Sequence, residues 1–470
     1  MKKISLLFIL FLVVTIVVSC GNGSNNNQDK DGVHPTSLNL EDYKGETIEI
    51  SCYDDFGMYS LDPLRVLTVK FIDEMKELYD INIVVNRSRF TSFSIQKEVL
   101  SNIESGTVPT VVYASSDDVA TYLKTDAVAK LDKYATNSIY GLGGDEEDSY
   151  GFVDSYFLDG KKYDKDKTLY TLPFLVNASV LYYNVDLFEK YNWEVPTTYS
   201  DVIIICERWK NTDEYKQILN ENKTSVGLGF DEATKFTNNL IKQCGSEFSN
   251  FDNNGNGKFL FNNTSTRRAL EWLVSEFNKG NISTEKYLDC EYVSDAFVEQ
   301  RIPMAIGSST GANYYVNDYK MFKTGVALYP QMDDDLESKK FANHSSINLI
   351  LLKQDSKIKE LIGWLYIKYI TNDESCMYWS IDRWYIPTRK ATLTSLEFED
   401  FINDGEYDTN KEAIKVGIKQ NNYLFSDATF YTKNSVSDEL NLLLDHILYD
   451  QSTYTVSKAL EEVFKNLNDN

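Results

Sequence analysis

Residues 47–53 read TIEISCY, an alternation of β-branched and polar side chains that is typical of a strand. Residues 62–79 follow with apolar side chains at helical spacing, and residues 81–85 again have strand character. A second amphipathic helix is predicted at residues 94–104 and a short buried strand at residues 111–114. This β-α-β-α-β order predicts an α/β fold with a parallel sheet covered by helices.

The rest of the chain continues the alternation and ends in a helical region. Predicted strands lie at 179–183, 303–307, 325–329 and 347–352, and predicted helices at 199–209, 265–277, 356–370, 374–379, 435–449 and 457–467. The globular composition begins at about residue 45. The roughly 425 residues from there onward exceed what one hydrophobic core usually supports, so we expect two domains.

The N-terminus has the pattern of an export signal. Lys2 and Lys3 precede an apolar run at residues 4–18, which is shorter than the roughly 20 residues that span a membrane. Ser19 before Cys20 resembles a bacterial lipobox, in which the cysteine is lipidated after cleavage. We predict a signal peptide at residues 1–19 and a lipidated Cys20 with a flexible tether at residues 20–44, which are rich in Asn, Gly, Asp and Ser. The alternative is an ordinary signal peptide with a chance cysteine.

The charge of the chain limits its partners. The formal net charge is −24 at pH 7, and loss of Lys2 and Lys3 with the signal peptide takes it to about −26. So acidic a protein is not expected to bind nucleic acid or to lie on anionic lipid headgroups. The five other cysteines are odd in number and contain no CxxC spacing, which predicts neither a zinc site nor a disulfide scaffold, although one bridge remains open. They are Cys52, Cys206, Cys244, Cys290 and Cys376.

A metal site is not predicted either. The three histidines, His34, His344 and His446, are scattered along the sequence. Residues 252–257 (DNNGNG) match the first half of a calcium loop, but position 12 is Asn263, where a bidentate Glu is required. Asn-Gly runs are also ordinary hairpin turns, so calcium stays the less favoured alternative. No HExxH, P-loop or GxGxxG motif occurs, and we expect no cofactor and no catalytic residues.

Four segments together resemble family 1 of the bacterial extracellular solute-binding proteins. Residues 106–112 (GTVPTVV) resemble its G-x-x-P-D-V element, with Thr110 in place of Asp. Residues 169–196 (LYTLPFLVNASVLYYNVDLFEKYNWEVP) are similar to its Y-x-L-P…L-Y-Y-N-x-D-L-F-x-K…P segment. Residues 261–307 resemble F-N…A-L-x-x-L-x-x-x-F-x-x-G followed by M-x-x-G. Residues 378–389 resemble W…G-Y-x-P-x-R, with Trp384 where the family has Gly.

The resemblance implies a two-lobed periplasmic-binding-protein-like fold with doubly wound sheets, an interlobe cleft and a helical C-terminal region. It places the first lobe at residues 45–172 plus 342–384 and the second at residues 173–341 plus 385–470. The chain would cross between the lobes about three times and close on a ligand in the cleft.

The residues just past the predicted strand ends are the candidates for ligand binding, because open α/β sheets bind ligands at the carboxyl ends of their strands. Carboxylates and amides suit sugar hydroxyls, and an aromatic face suits the apolar side of a sugar ring. For each residue the alternative is a solvated loop or a lobe-edge contact, and for Trp384 we favour the cleft. The candidates are Asp54, Phe90, Ser115, Asp117, Asn177, Ser309, His344, Trp384 and Tyr385.

These expectations describe a monomeric, extracytoplasmic, lipid-anchored substrate-binding protein that delivers a carbohydrate to the permease of an ABC importer. The Ser308-Ser309 element and the helical tail are similar to the glycerol-3-phosphate-binding branch, so a polyol phosphate is one alternative. No arginine lies between residues 421 and 440, where that branch uses one for phosphate, and this favours a neutral sugar. An extracellular glycan-degrading lipoprotein and a ligand-free sensor or adhesin are alternatives of other classes.

Overall fold

The computed structural model describes residues 33–55, 62–92, 94–316, 321–332 and 340–468. The predicted signal peptide and Cys20 lie outside these residues. Among the helices that are described, none combines the length and the apolar character needed to cross a bilayer.

Strands and helices alternate through most of the described chain. The strands are β1 Thr47–Asp54, β2 Asn82–Arg89, β3 Val111–Ala114, β4 Leu172–Asn184, β5 Leu228–Phe230, β6 Ser249–Phe251, β7 Gly257–Phe259, β8 Ile282–Ser283, β9 Met304–Ser308, β10 Thr324–Ala327 and β11 His344–Leu351.

The helices cover the sheet and fill the C-terminal region. They are α1 Pro63–Tyr79, α2 Ile95–Ser105, α3 Ser116–Leu123, α4 Asp132–Ala135, α5 Asp154–Asp159, α6 Val185–Tyr191, α7 Tyr199–Trp209, α8 Asp213–Asn220, α9 Ala233–Gln243, α10 Thr264–Asn278, α11 Glu285–Leu288, α12 Val293–Val298, α13 Lys357–Ile370, α14 Asp373–Arg383, α15 Lys390–Leu393, α16 Leu396–Asn403, α17 Thr409–Lys419, α18 Val436–Tyr449 and α19 Val456–Asn468.

One long strand joins the two lobes. The sheet order is β2-β1-β3-β11-β4-β9-β5-β8, with β10 also paired to β4. The first part of β4, from Leu172 to Ala178, pairs with β11, and the part from Ser179 onward pairs with β9 and β10. Strands β1, β2, β3 and β11 therefore form the sheet of the first lobe, and β5, β8, β9 and β10 that of the second. The middle of β4 is therefore one of the places where the chain passes from one lobe to the other.

The predicted parallel sheet is confirmed for the first three strands. Strand β1 pairs in parallel with β2 and with β3. Strand β11 is antiparallel to both β3 and β4, so the complete sheet is mixed. The long excursion of the chain through the second lobe brings β11 back from the opposite side, and the local sequence could not predict that direction.

Each lobe has its own hydrophobic core. In the first lobe α1 and α13 pack over β1, with Phe71, Trp364 and Tyr366 almost completely buried. In the second lobe the C-terminal helices α18 and α19 pack against α9 and α10, and Trp209 and Leu443 are buried in that core. Burying such a side chain stabilises the fold by about 1.5–3 kcal/mol relative to leaving it exposed.

Helix α1 illustrates how local sequence sets an element. Asp62 caps its first turn by accepting a hydrogen bond from the Leu64 amide at 3.0 Å, and Asp80 ends it in the left-handed conformation with φ 51°. Its apolar face is buried at Leu64, Phe71 and Met75, whereas Leu78 at the end of the helix is 59% exposed.

Residues 33–44 correct the predicted tether. Leu40 is fully buried, Tyr43 is almost so, and the Leu40 amide donates to the Tyr140 hydroxyl at 3.2 Å. The His34 ring lies 4.6 Å from the Tyr134 ring. The few large side chains of this polar stretch, spaced along two short 3₁₀ turns, suffice to fix it on the first lobe.

Candidate functional site

A cavity of about 390 Å³ lies where the two lobes meet, beside the start of β11. We call it the first cavity. Its hydroxyl groups come from both lobes and include Ser115, Ser116, Thr234, Ser249, Ser345 and Thr429. Four rings complete the wall, those of Phe248, Phe259, Phe425 and Phe430. Hydroxyls with aromatic rings give a surface that can bind a polyol on its polar edge and its apolar face.

The first lobe contributes the N-terminus of α3. Ser115 caps this helix by accepting from the Asp118 amide at 3.2 Å, and Asp118 accepts from the Ser115 amide at 3.1 Å. This capping box directs Ser116 and Asp117 to the cavity. Asp117 is open to the cleft, yet the surrounding walls withdraw water from its carboxyl and raise its pKa, an effect that the charge of Lys162 partly opposes.

Asp159, the last residue of α5, forms the floor of the first cavity. Its Oδ1 accepts from Lys162 Nζ at 3.0 Å and from the Ser426 hydroxyl. Its Oδ2 accepts from the Ser346 hydroxyl at 2.7 Å and contacts His344 Nε2 at 3.2 Å. Burial alone would raise the pKa of this carboxyl, but Lys162, His344 and the hydroxyl donors outweigh burial and lower it well below the usual range. Asp159 therefore holds a charge that ties α5, β11 and residues 423–430 together.

Residues 423–430 form a strap between α17 and α18 that contacts both lobes. Its Thr429 amide donates to the Lys162 carbonyl at 3.0 Å on the first lobe. On the second lobe its Ala428 carbonyl accepts from the Ser249 hydroxyl at 2.6 Å, and its Asp427 carboxyl contacts Lys242 Nζ at 3.4 Å. Burial raises the pKa of Asp427 although Lys242 opposes the shift.

A second cavity of about 1010 Å³ adjoins the first. The two share Asp117, Thr234 and Ser437 as wall residues. The wall of the second cavity is strongly acidic and carries Asp117, Asp231, Glu232, Glu285, Glu291 and Asp295, together with the rings of Tyr292, Tyr314 and Tyr449. The two cavities thus form one continuous cleft with a hydroxyl-rich part and an acidic part.

Asp231 differs from Asp159 in having no cation beside it. Its Oδ1 accepts from the Val293 amide at 2.9 Å and its Oδ2 from the Tyr315 hydroxyl at 3.4 Å. Burial raises the pKa of Asp231 to about 6, the Val293 amide opposes this shift, and the charges of Glu285 and Glu232 add to it.

Three of the predicted site residues line the first cavity, namely Ser115, Asp117 and His344. Two others have a structural place instead, which corrects the prediction. Asp54 is fully buried and its Oδ2 lies 2.8 Å from Arg87 Nη2, and Ser309 is fully buried and accepts from the Ala178 amide at 3.2 Å. Residues 307–311 (GSSTG) match the G-x-S-x-G pattern of hydrolases, but burial and this bond leave no reactive hydroxyl.

Phe90, Asn177 and Tyr385 do not belong to the walls of either cavity. The Phe90 ring packs on Tyr53 with the centroids 4.9 Å apart. Asn177 lies opposite Ser345 in the β4–β11 pair, and Tyr385 packs against the core of the first lobe. Burial raises the pKa of the Tyr385 hydroxyl, with a further contribution from Asp55.

Trp384 also lies elsewhere than predicted. Its ring stacks on Phe401 of α16 with the centroids 5.7 Å apart, and it packs against the cluster of Met377, Phe398 and Ile414. Its backbone is left-handed with φ 61° at the end of α14. Because the left-handed turn and helices α16 and α17 together decide where the indole points, the motif alone could not place it.

The sequence analysis missed Asp159, Lys162, Asn238 and the strap, which line the first cavity. None of them directly follows a strand of the main sheet or belongs to a motif of the family resemblance. The strap residues 425–430 (FSDATF) combine rings, hydroxyls and an acid between two helices, and that composition was the available signal.

The turn at Asp252 behaves as a hairpin turn. Asp252 Oδ1 accepts from the amides of Asn254 and Asn256, both at 2.9 Å, so the carboxylate is used by its own backbone. Within the described part of the chain no cluster of three or more His, Cys, Asp or Glu side chains is arranged to hold a metal ion.

Comparisons with known proteins agree with this geometry. A family model for bacterial extracellular solute-binding proteins matches residues 70–406. A search of curated proteins finds no match. Among solved structures, the cyclic alpha-maltosyl-1,6-maltose binding protein from Arthrobacter globiformis is similar with a TM-score of 0.66 at 13% identity, covering 90% of this chain and 98% of that one.

Two further structures are similar over the same 90% of the chain and 98% of their own. An ABC substrate-binding protein from Listeria monocytogenes in complex with cycloalternan has a TM-score of 0.63 at 18% identity. UgpB from Mycobacterium tuberculosis in complex with glycerophosphocholine has a TM-score of 0.64 at 15% identity. At these identities the similarity establishes the two-lobed fold, which confirms the predicted fold class.

Proposed function

We propose, since the chain belongs to the family of bacterial extracellular solute-binding proteins, that it captures a carbohydrate between its lobes and delivers it to the permease of an ABC importer. The family is extracytoplasmic and consists of binding proteins. Carbohydrate as the ligand, the lipid anchor and the monomeric state are our own inferences.

The first cavity is the observation that carries the proposal. It places hydroxyl groups, the carboxyls of Asp117 and Asp427, and four phenylalanine rings around one space between the lobes. Carboxylates accept hydrogen bonds from sugar hydroxyls, and the rings cover the apolar face of a pyranose. We propose that Ser115, Asp117 and His344 contact the sugar directly.

Closure would use the strand that both lobes share. The pairing of β4 changes from β11 to β9 between Ala178 and Ser179, so a bend there moves one half-sheet against the other. Ligand that contacts both lobes shifts the equilibrium toward the closed form by its extra affinity for that form.

A polyol phosphate is the second candidate, because one similar structure holds glycerophosphocholine. The walls of the two cavities argue against it. No arginine of the described residues lines either of them. The lysines nearest the first cavity are engaged, Lys162 with Asp159 at 3.0 Å and Lys242 with Asp427 at 3.4 Å. Phosphate prefers a free arginine fork, so a ligand without phosphate suits these walls better.

Titration of the purified protein against neutral oligosaccharides and glycerol-3-phosphate tests the proposal. We expect binding of an oligosaccharide without turnover, a smaller radius of gyration in solution scattering, and stabilisation by about 2.7 kcal/mol at a hundredfold excess over Kd. Tighter binding of glycerol-3-phosphate would favour the second candidate. Release of shortened sugars would favour a glycan-degrading enzyme, and absence of any binding would favour a sensor or adhesin.

The anchor is tested by Cys20→Ala. The variant should fold normally yet leave the membrane for the secreted fraction, because a lipid attached to the cysteine sulfur is the proposed membrane contact. Cys290→Ala is the matched control and should stay with the membrane. A Cys20→Ala protein that remains membrane-bound after a high-salt wash would contradict the lipoprotein assignment.

A further inference from the structure

The lysines that line the cleft are already neutralised by carboxylates of the same walls. Lys162 pairs with Asp159 at 3.0 Å, Lys286 pairs with Asp445 at 2.8 Å, and Lys235 pairs with Glu232. Among the described residues no other lysine and no arginine lines the two cavities, so the described walls offer no free positive charge to an anionic ligand.

Several carboxylates of the same walls have no cation. Asp117, Asp231, Glu285, Glu291 and Asp295 form no ion pair with a lysine or arginine among the described residues. A cleft lined by one sign of charge with low-dielectric walls concentrates ligands of the opposite sign. The excess of carboxylates in these walls therefore favours cationic ligands over anionic ones.

Tyrosine rings accompany these carboxylates. Tyr292 and Tyr314 are 57% and 73% exposed, and both line the second cavity. The ring of Tyr449, which also lines that cavity, already has an ammonium over it, since Lys286 Nζ lies 4.5 Å from its centroid. Faces of tyrosine rings attract cations, so the two exposed rings offer positions for an ammonium group from outside.

Two buried polar atoms of the first cavity that have no hydrogen-bond partner among the described residues add an independent observation. His344 is 9% exposed and its Nδ1 has no partner, and Asn238 Oδ1 is likewise buried without one. Their other ends face acids, with His344 Nε2 3.2 Å from Asp159 and Asn238 Nδ2 3.3 Å from Asp427. Asp427 thus holds the amide end of Asn238 and leaves its Oδ1 as an acceptor, and Asp159 holds Nε2 of His344 and leaves Nδ1 without a partner. A ligand hydroxyl, which can both donate and accept, would satisfy each atom once the walls shift to admit it.

We propose that the cleft selects an oligosaccharide that carries amino groups, with the ammonium groups seated among the unpaired carboxylates and tyrosines of the second cavity. The hydroxyl groups of the same ligand would fill the first cavity at His344 and Asn238. This inference rests on the proposed carbohydrate-binding function and names the chemical class within it.

Isothermal titration with three trisaccharides that differ in charge tests the charge preference of the cleft. The glucosamine trimer carries ammonium groups, the N-acetylglucosamine trimer has the same skeleton without charge, and the galacturonic acid trimer is anionic. We expect the glucosamine trimer to bind about 10-fold tighter than its acetylated counterpart at about pH 6.5, where amines are mostly protonated. The anionic trimer should bind least, and the preference should shrink in high salt.

Two variants locate the effect. Asp231→Asn removes the charge but keeps an acceptor oxygen for the Val293 amide. Asp117→Asn removes a charge at the boundary of the two cavities. Each should reduce the ratio of the affinities for the glucosamine trimer and the acetylated trimer about 5-fold. Asp213→Asn on α8, whose side chain is 96% exposed and lines neither cavity, is the control and should change nothing.

The outcomes separate the two proposals. A glucosamine preference that both cleft variants reduce supports the inference. Equal or tighter binding of the acetylated trimer, or a preference that Asp213→Asn reduces as much, overturns the inference and leaves carbohydrate binding intact. Failure of all three trimers and of neutral oligosaccharides to bind overturns the proposed function, and the inference with it.

Discussion

Asp159 in the first cavity is buried and Asp231 in the second is partly buried, and the surroundings of these two aspartates of one cleft are opposite. Asp159 has Lys162, His344 and two serine hydroxyls around it, and these lower the pKa of its carboxyl well below the usual range. Asp231 has an amide, a tyrosine hydroxyl and neighbouring acids around it. Burial, with a smaller contribution from the charges of the neighbouring acids, raises its pKa to about 6.

The difference shows how two carboxyls of one cleft can have different tasks. A carboxylate whose oxygens are all used by the protein holds the lobes and the strap in register. A carboxylate that lacks a cation costs stability in the free protein and gains it when a donor or a cation arrives. Experiments that remove each charge separately test this division.

Asp159→Ala should have the largest effect. It leaves Lys162 and His344 without their shared acceptor in a buried place, and we expect a loss of about 3–5 kcal/mol in the free energy of unfolding. Urea denaturation measures this. The pKa of Asp159 in the folded protein lies below the unfolded value of about 3.9. The stabilisation by this carboxylate is therefore present above about pH 4 and is lost as the pH falls through the folded pKa. The difference in unfolding free energy between wild type and Asp159→Ala should accordingly become smaller in acid.

Asp126→Asn is the control for that variant, because Asn tolerates the left-handed backbone of this position, with φ 56°, where Ala would add strain. It also removes an aspartate paired with a lysine, Lys353 at 2.7 Å, but its side chain is 96% exposed. The free energy of unfolding should change by no more than about 0.5 kcal/mol. If both variants lost the same stability, the buried network at Asp159 would have no special weight.

Asp231→Asn should act in the opposite direction and stabilise the free protein by about 1–2 kcal/mol at neutral pH. Here the folded pKa of about 6 exceeds the unfolded value of about 3.9, so wild-type stability falls as the pH rises from about 4 to about 6 and then stays low. The neutral amide has no such loss. Thermal unfolding at several pH values should therefore show that Asp231→Asn is more stable than wild type at neutral pH but not near pH 4. The same gain in stability at every pH would contradict the view that burial of the Asp231 charge destabilises the wild type.

Trp384 lies outside both cavities, so its substitution should change stability and leave ligand affinity unaffected. Trp384→Ala loses the stacking on Phe401 and keeps the strained φ of 61°, whereas Trp384→Gly loses the same ring and relieves the strain. We expect the Gly variant to be more stable than the Ala variant by about 1 kcal/mol. Titration with an oligosaccharide should give wild-type affinity for both, and a weakened affinity would place the indole in the ligand site after all.

The local sequence pattern predicted the bounds of a helix or strand correctly where the residues of that element set them. Helix α7 and strand β3 have the predicted limits, since a Thr198 capping box begins the former and a short apolar run defines the latter. Strand β4 is far longer than the predicted 179–183, because its first half is a continuous apolar run buried on both faces and shows no alternation. Ser115, Asp117 and His344 were found because they follow or begin strands, while Asp159 ends a short helix.

The sequence by itself determined the family, the alternation of strands and helices, and the acidic net charge. Those properties reside in spacing and composition, which act within a few residues or over the whole chain. Only the tertiary structure decided which carboxylates acquire cations. That choice depends on residues such as Asp159, His344 and Ser426, which are more than eighty positions apart in sequence and meet because β4, β11 and the strap converge between the lobes.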